Sequence, residues 1–363
     1  MKNTFGNNVT LTLFGESHGQ AVGAVLDGMA PGVPVDEEYI AKKLSQRSGL
    51  PEVSTARREP DSFRIVSGVF EGKTTGTPMC IIIENKDTKS NDYQRGPARP
   101  GHADYTAFVK YHGYEDYRGG GHFSGRLTAP VVAAGAVAMQ ALNERGILIC
   151  THIKSCGGVS DHAFGDIPED FIRLENSAYP VLDEAVGEQM RELTAAAAAD
   201  GDSIGGILET AVYGPEAGLG EPFFDSVESL ISHALFSIPA VKGIEFGAGF
   251  SFGKMHGSEA NDPIDYDGSD VITRTNNNGG INGGITNGMP IIFSTAVKPT
   301  PSIFKEQETV DFIKKTDEKL SLKGRHDPAI FHRAAPVISA VTALVICDLL
   351  SMRYGNDFLQ KRQ

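Results

Sequence analysis

The stretch VTLTLFGESHGQAVGAVLDG, residues 9–28, decides how the fold is read. Its first part alternates apolar and polar side chains, which places successive residues on opposite faces of a strand. Its last part, AVGAVLDG, can pair back beside the first. Between them FGESHG holds Glu16, Ser17 and His18 between two glycines. The stretch therefore predicts strands over 8–14 and 21–28 joined by a polar corner, an antiparallel pair.

Outward from that pair, Asp36 stands where it can cap a helix running to about Gln46, with Glu37 and Glu38 favourably placed in the first turn. Residues 63–70 and 77–85 are rich in β-branched side chains and predict strands. Helices are expected over 103–113 and 129–144, the latter stopping at Arg145-Gly146. A strand over 147–159 follows, then a helix near 182–199 and a strand over 206–214. After these come a helix near 225–236 and strands over 242–253 and 289–297. A long apolar helix over 326–350 is opened by Asp327-Pro328. Adjacent strand pairs followed by helices, without regular βαβ repeats, indicate an α+β fold with antiparallel sheets. No linker separates domains, so residues 1–363 are expected to form one compact unit built from two similar halves.

Composition narrows the function. With 40% hydrophobic and 22% charged residues the chain can bury a sizeable core. A net charge of -13 argues against nucleic acid as partner. It does not argue against a small anion, because a local arginine cluster can sit inside an acidic protein. Cys80, Cys150, Cys156 and Cys347 show no C-x-x-C or zinc spacing and read as reduced core residues. No uninterrupted apolar run approaches the roughly 18 residues of a membrane span, and the N-terminus lacks a signal-like segment. A cytoplasmic protein without a membrane partner is expected. The 42 glycines exceed the roughly 7% of average usage and gather in clusters, as where backbone must approach a ligand.

Six motifs stand at such glycine or proline corners: FGESHG (14–19), RREPD (57–61), RPGHAD (99–104), DYRGGGHFSGRLT (116–128), VKPTPS (297–302) and GRHDP (324–328). Each has an ordinary reading: a polar turn, a solvated charged loop, a helix entry, or, for Asp327, an N-cap. The run from Gly120 to Arg126 nearly matches a nucleotide P-loop. Arg126 replaces its lysine, Leu127 its Ser/Thr, and no strand leads in, so that reading is rejected. Consecutive glycines before a helix still offer N–H groups to a phosphate. Jointly, arginines and lysines track the glycine turns, and two histidines share them. The combined pattern points to a small ligand carrying several negative charges, beside groups that move protons.

These motifs, with GGITNGMPI (283–291), stand in the order found in the chorismate synthase family, which the chain resembles over essentially its whole length. The resemblance implies a lyase that converts 5-enolpyruvylshikimate 3-phosphate to chorismate and phosphate with reduced flavin mononucleotide (FMNH2). It also implies a β-α-β sandwich of helices between antiparallel sheets, with related halves, assembled as a homotetramer. By motif position Arg47, Arg57, Arg126 and Arg325 would bind the anionic substrate. His18 would stand by the leaving phosphate, His102 by the flavin's pyrimidine edge and Asp327 near its N5, with Ser17 and Ser124 as relay partners. Ser124, Ala240, Lys242, Lys298, Thr300, Ser302 and Arg325 would line the flavin. The glycine loop departs from the family's GGGR-x-S-A-R-E-T: His122 replaces an arginine and Leu127 a glutamate. Since no dinucleotide fingerprint is visible, an external flavin reductant is expected rather than a site for NADP. The alternative is a non-catalytic flavin or sugar-phosphate sensor, which would need the arginines but not Asp327 or both histidines.

Overall fold

The structure is a computed structural model describing residues 2–48, 50, 61–86, 95–322 and 326–360. Strands Thr10–Gly15 and Ala21–Asp27 form the expected hairpin, with Thr10 opposite Asp27 and Gly15 opposite Val22. Gly15 has φ +95°, and a Cβ there would lie 2.3 Å from the Ala21 carbonyl oxygen. Only glycine fits that crossing. Met79–Glu84 pairs with Ala21–Asp27, Phe63–Ser67 pairs with Met79–Glu84, and Thr4–Phe5 joins the opposite edge, giving a five-stranded antiparallel sheet. Val22, Ala24 and Leu26 point inward and are buried, the alternation a half-covered sheet requires.

Eight α-helices occur among the described residues: α1 (Glu37–Arg47), α2 (Asp104–Lys110), α3 (Thr128–Asn143), α4 (Ile167–Glu175), α5 (Glu184–Ala199), α6 (Val227–Leu235), α7 (Gly257–Ala260) and α8 (Phe331–Tyr354). Asp36 caps α1 as its sequence suggests, accepting from the N–H groups of Glu38 and Tyr39. A second five-stranded antiparallel sheet runs in the order Val241–Phe246, Ile291–Val297, Gly206–Tyr213, Leu148–Cys156, Val159–Ser160. Helix α3 packs on the first sheet, α8 on the second, and the two helices pack on each other. They meet so closely that a Cβ on Gly135 would fall 2.4 Å from Cβ of Ala340. Both are apolar nearly all round, as a helix enclosed between layers must be. Residues 331–354 are long and apolar enough to cross a bilayer, yet 94% of that apolar window is buried inside the protein. Its apolarity is that of a core helix.

The halves share one plan. With insertions set aside, each runs in chain order strand, strand, helix, strand, strand, helix. The first uses 10–15, 21–27, α1, 63–67, 79–84 and α3; the second uses 148–156, 206–213, α6, 241–246, 291–297 and α8. In both sheets the fourth of these strands lies between the second and third. Even the irregularity recurs, since the third strand shifts register at 65–67 in one half and at 241–243 in the other. The sandwich of related halves is thus as the resemblance implies.

Three boundaries differ from the sequence reading. The strand expected over 63–70 breaks at Gly68, which has φ +84°. The strand expected over 242–253 stops at Phe246, where Gly247 and Gly249 turn the chain at positive φ into a 3-10 helix. Helix α8 begins at Phe331 after Ile330, without a side-chain cap, so the capping role considered for Asp327 is corrected. Helix α4 was passed over, although Ile167, Phe171 and Leu174 form an apolar stripe that covers Cys150 and Ala211 on the second sheet.

Candidate functional site

The site grows from a glycine corner. Gly119, Gly120 and Gly121 all have positive φ. The hairpin corner docks there: Ser17 N–H donates to the Gly121 carbonyl at 3.1 Å, and Ser17 Oγ donates to the Gly119 carbonyl at 3.0 Å. A Cβ on Gly119 would lie 2.5 Å from the His18 ring, and one on Gly120 would lie 3.3 Å from Cε1 of His102. Two bare backbone positions thus let imidazoles from separate loops approach one corner, with the Ser124 side chain also within van der Waals reach of Gly120. Ser17 and His18 are buried.

His102 is oriented from behind. Its Nδ1 lies 2.8 Å from Asp104 Oδ1, and Asp104 also takes three hydrogen bonds from Arg99, from its backbone N–H at 3.0 Å, Nε at 2.8 Å and Nη2 at 2.7 Å. Burial pushes the Asp104 carboxyl up, but the bonds from Arg99 and His102 outweigh it and hold the group well below the usual carboxylate range. A carboxylate at Nδ1 selects the tautomer that donates there and turns Nε2 the other way. Nε2 would stand 3.4 Å from a Cβ on Gly120.

Next along the chain, Arg126 is buried and donates from Nε to Asn85 Oδ1 at 2.9 Å and from Nη2 to the Glu84 carbonyl at 3.0 Å. Its Nη1 pairs with Asp61, whose other oxygen accepts from Arg47 Nη2 at 2.5 Å. The Asp61 side chain is only 4% exposed, so one carboxylate serves two buried guanidiniums. Burial presses the Arg47 guanidinium below its ordinary value; Asp61 opposes this, while Arg333 and Arg126 repel it. The Nε of Arg47 is buried and has no hydrogen-bond partner among the described residues. Among the described residues two guanidiniums thus share one carboxylate, a donor set of the kind that recognises anions.

Arg333, near the start of α8, links the cluster to Asp327. Its Nη1 pairs with Asp327 Oδ2, and its Nε donates to the Arg47 carbonyl at 3.0 Å. From the other side, Lys298 Nζ donates to the Gly101 carbonyl at 2.5 Å, beside His102, and Lys298 N–H to the Ala240 carbonyl at 3.0 Å. Ala240 holds φ +73°, a strained turn for a residue with a Cβ. Ser302 is buried, Thr300 Oγ1 is buried with no partner among the described residues, and Lys242 is exposed.

Contacts therefore run unbroken from His18 and Ser17 through the glycine corner to His102 and Ser124. They continue through Arg126, Asp61, Arg47 and Arg333 to Asp327, with Lys298 and Ala240 joined through Gly101. Arg57 and Arg325 lie outside the described residues. Sequence reasoning missed Asp61 and Arg333. Asp61 stands in one of the motifs beside its arginines; Arg333 is detectable as a cation in the first turn of an otherwise apolar stretch. A cleft of about 330 Å³ lies beside the glycine corner, walled by Phe14, Tyr111, Tyr117, Glu115 and His122; of the anticipated residues it takes in His102. His122 Nδ1 lies 2.8 Å from the Gly15 carbonyl, so the residue at the departing loop position ties that loop to the hairpin.

Fold and site define a class of protein: a duplicated sheet–helix–sheet sandwich whose strand-end loops gather buried guanidiniums, two imidazoles and a carboxylate. The family model described as chorismate synthase matches residues 9–351. A chorismate synthase of Pyrococcus abyssi is 47% identical over 350 residues, 96% of this chain and 97% of the relative. One of Dehalococcoides mccartyi is 43% identical over 98% of each. A solved structure titled "Crystal Structure of Chorismate Synthase" superposes with a TM-score of 0.77 at 29% identity, covering 97% of this chain and 94% of that one. The chain belongs to the chorismate synthase family.

Proposed function

We propose that this chain is a lyase that converts 5-enolpyruvylshikimate 3-phosphate to chorismate and phosphate, in the shikimate pathway to aromatic amino acids, with reduced flavin mononucleotide as cofactor. Within a family member, the observation that carries the reading is the unbroken contact path from His18 to Asp327 through the buried Arg126–Asp61–Arg47 cluster.

The substrate bears a phosphate and two carboxylates, which Arg47 and Arg126 would hold in fork geometry, with Arg57 and Arg325 completing the set. The elimination breaks the carbon–oxygen bond to phosphate and a ring carbon–hydrogen bond, and forms a new double bond with no net redox change. His18 would donate a proton to the departing phosphate, a task for which imidazole is suited near neutrality. Ser17, hydrogen-bonded to the Gly119 carbonyl, and Ser124 would align that proton path. Asp327 would take up the proton that the ring loses.

The residues present fit a flavin: Thr300 offers a buried hydroxyl with no partner among the described residues, Lys298 and Lys242 offer cations, and Ser302 and Ala240 line the same strand ends. His102, with Nε2 turned away from Asp104, would meet the ring's pyrimidine edge. When bound, reduced flavin supplies the transient electron density needed to break a carbon–hydrogen bond that is not acidic. The same reading takes the assembly to be a homotetramer, the reductant external, and the location cytoplasmic.

The test is an anaerobic assay following diene absorbance and free phosphate together. Both signals should rise in step, and only with reduced flavin. Neither signal would support the sensor alternative, and phosphate without diene would mean a phosphatase.

A further inference from the structure

Helix α8 carries a charge at the wrong end. Arg333 lies in its first turn, where unsatisfied N–H groups and the helix dipole favour anions and disfavour cations. No acidic residue stands in that turn to compensate, and no side chain caps the helix. Asp327, close enough in sequence to suggest a cap, does not serve as one. Acid and base leave the helix end unserved and take each other: Arg333 Nη1 pairs with Asp327 Oδ2. Their side chains are 30% and 13% exposed, so the pair is largely shielded and desolvation offsets part of its attraction. Helix formation thus gives no reason for Arg333, and a shielded ion pair is weak evidence of a gain for the fold.

The guanidinium's second contact supplies a reason. Nε donates to the Arg47 carbonyl at 3.0 Å, at the last residue of α1, whose side chain reaches Asp61. A planar fork held at both ends fixes the direction of whatever it grips. We propose that Arg333 is a positioning residue for Asp327: it orients the carboxylate, supplies its counter-charge, and sets it at a fixed distance from the arginine cluster. This rests on the reading of Asp327 as proton acceptor.

The experiment is a double-mutant cycle with Asp327→Asn, Arg333→Gln and the pair together, using the full chain with reduced flavin. Each variant is also assayed for binding of oxidised flavin mononucleotide and of inorganic phosphate. Asp327→Asn should lower kcat about 100-fold or more. Arg333→Gln should lower kcat at least about tenfold while both binding constants stay within about threefold. The double variant should be no slower than Asp327→Asn, because a residue acting only through another adds nothing once that partner is gone. Arg333→Lys, which keeps charge but not the fork, should fall between wild type and Arg333→Gln, and it carries the test if Arg333→Gln does not fold. Full activity in Arg333→Gln, or losses that multiply in the double variant, would overturn the proposal. Full activity in Asp327→Asn would instead overturn the role given to Asp327, which separates the two failures.

Discussion

At Gly119 two constraints act on one atom that is not there. The backbone holds φ +60°, and an added Cβ would meet the His18 ring at 2.5 Å and Ser17 Oγ at 2.6 Å. Left-handed backbone alone costs roughly 1–2 kcal/mol for a residue with a Cβ, and the contact must also push the imidazole or hydroxyl aside. Gly119→Ala should therefore lower the melting temperature by several degrees and kcat at least about tenfold, with secondary structure by circular dichroism unchanged. A variant of wild-type activity would mean that His18 needs no fixed position. This corner was legible in sequence because glycine clusters and histidines shared a short span. The pairing of Asp61 with two arginines was not, since which acid meets which base depends on where loops meet in space. For Asp327, only the position of Ile330 at the helix start removed the capping explanation.

At the scale of the element, α8 carries a buried proton switch. Burial is the main cause pushing His332 down to about 4, with Arg333 adding repulsion and Asp327 opposing. In the unfolded chain histidine titrates near 6.5. Between those values the unfolded chain binds a proton that the folded chain does not, so stability falls as the solution is acidified through that window. From pH 7 to pH 5 the loss amounts to about 2 kcal/mol from this residue. Urea titrations at both pH values should show a smaller acid loss for His332→Gln than for wild type. Equal losses would mean that His332 is protonated in the folded protein. The existence and polarity of α8 were legible from its long apolar run. Its start was not, because Asp327-Pro328 imitates an N-terminal signal while the chain stays non-helical until Phe331. Strand ends failed at Gly68 and Gly247 for the same kind of reason: a glycine's positive φ overrides strand-forming neighbours.

Across the whole molecule, the last helix is bound to the turn between the first two strands, Thr4–Phe5 and Thr10–Gly15. Asp348, buried in α8, accepts hydrogen bonds from the N–H groups of Asn7, Asn8 and Val9 at 2.9, 2.7 and 2.9 Å. Asp348→Ala would strip an acceptor from three donors, and each buried donor left unpaired costs about 1–3 kcal/mol. With partial access of water at Asn7 and Asn8, a net loss of about 3 kcal/mol is expected in equilibrium unfolding. A loss under about 1 kcal/mol would show that the N-terminal segment is not held by this carboxylate. The α+β class was legible from paired strands, and nothing in the chain read as a linker. The shared order of strands in the two halves was not, for no short motif repeats and long insertions separate the second half's strands.

That duplication has a consequence for how such a centre can change. The wall bearing histidines and arginines hangs from one strand pair, and the wall bearing Ala240, Lys298 and Asp327 hangs from its counterpart. Each wall can be lengthened, shortened or recharged without disturbing the hydrogen-bond ladder beneath the other. The scaffold is in effect a two-jawed vice whose jaws are replaceable parts, while the small residues where α3 crosses α8 are held fixed by the hinge itself.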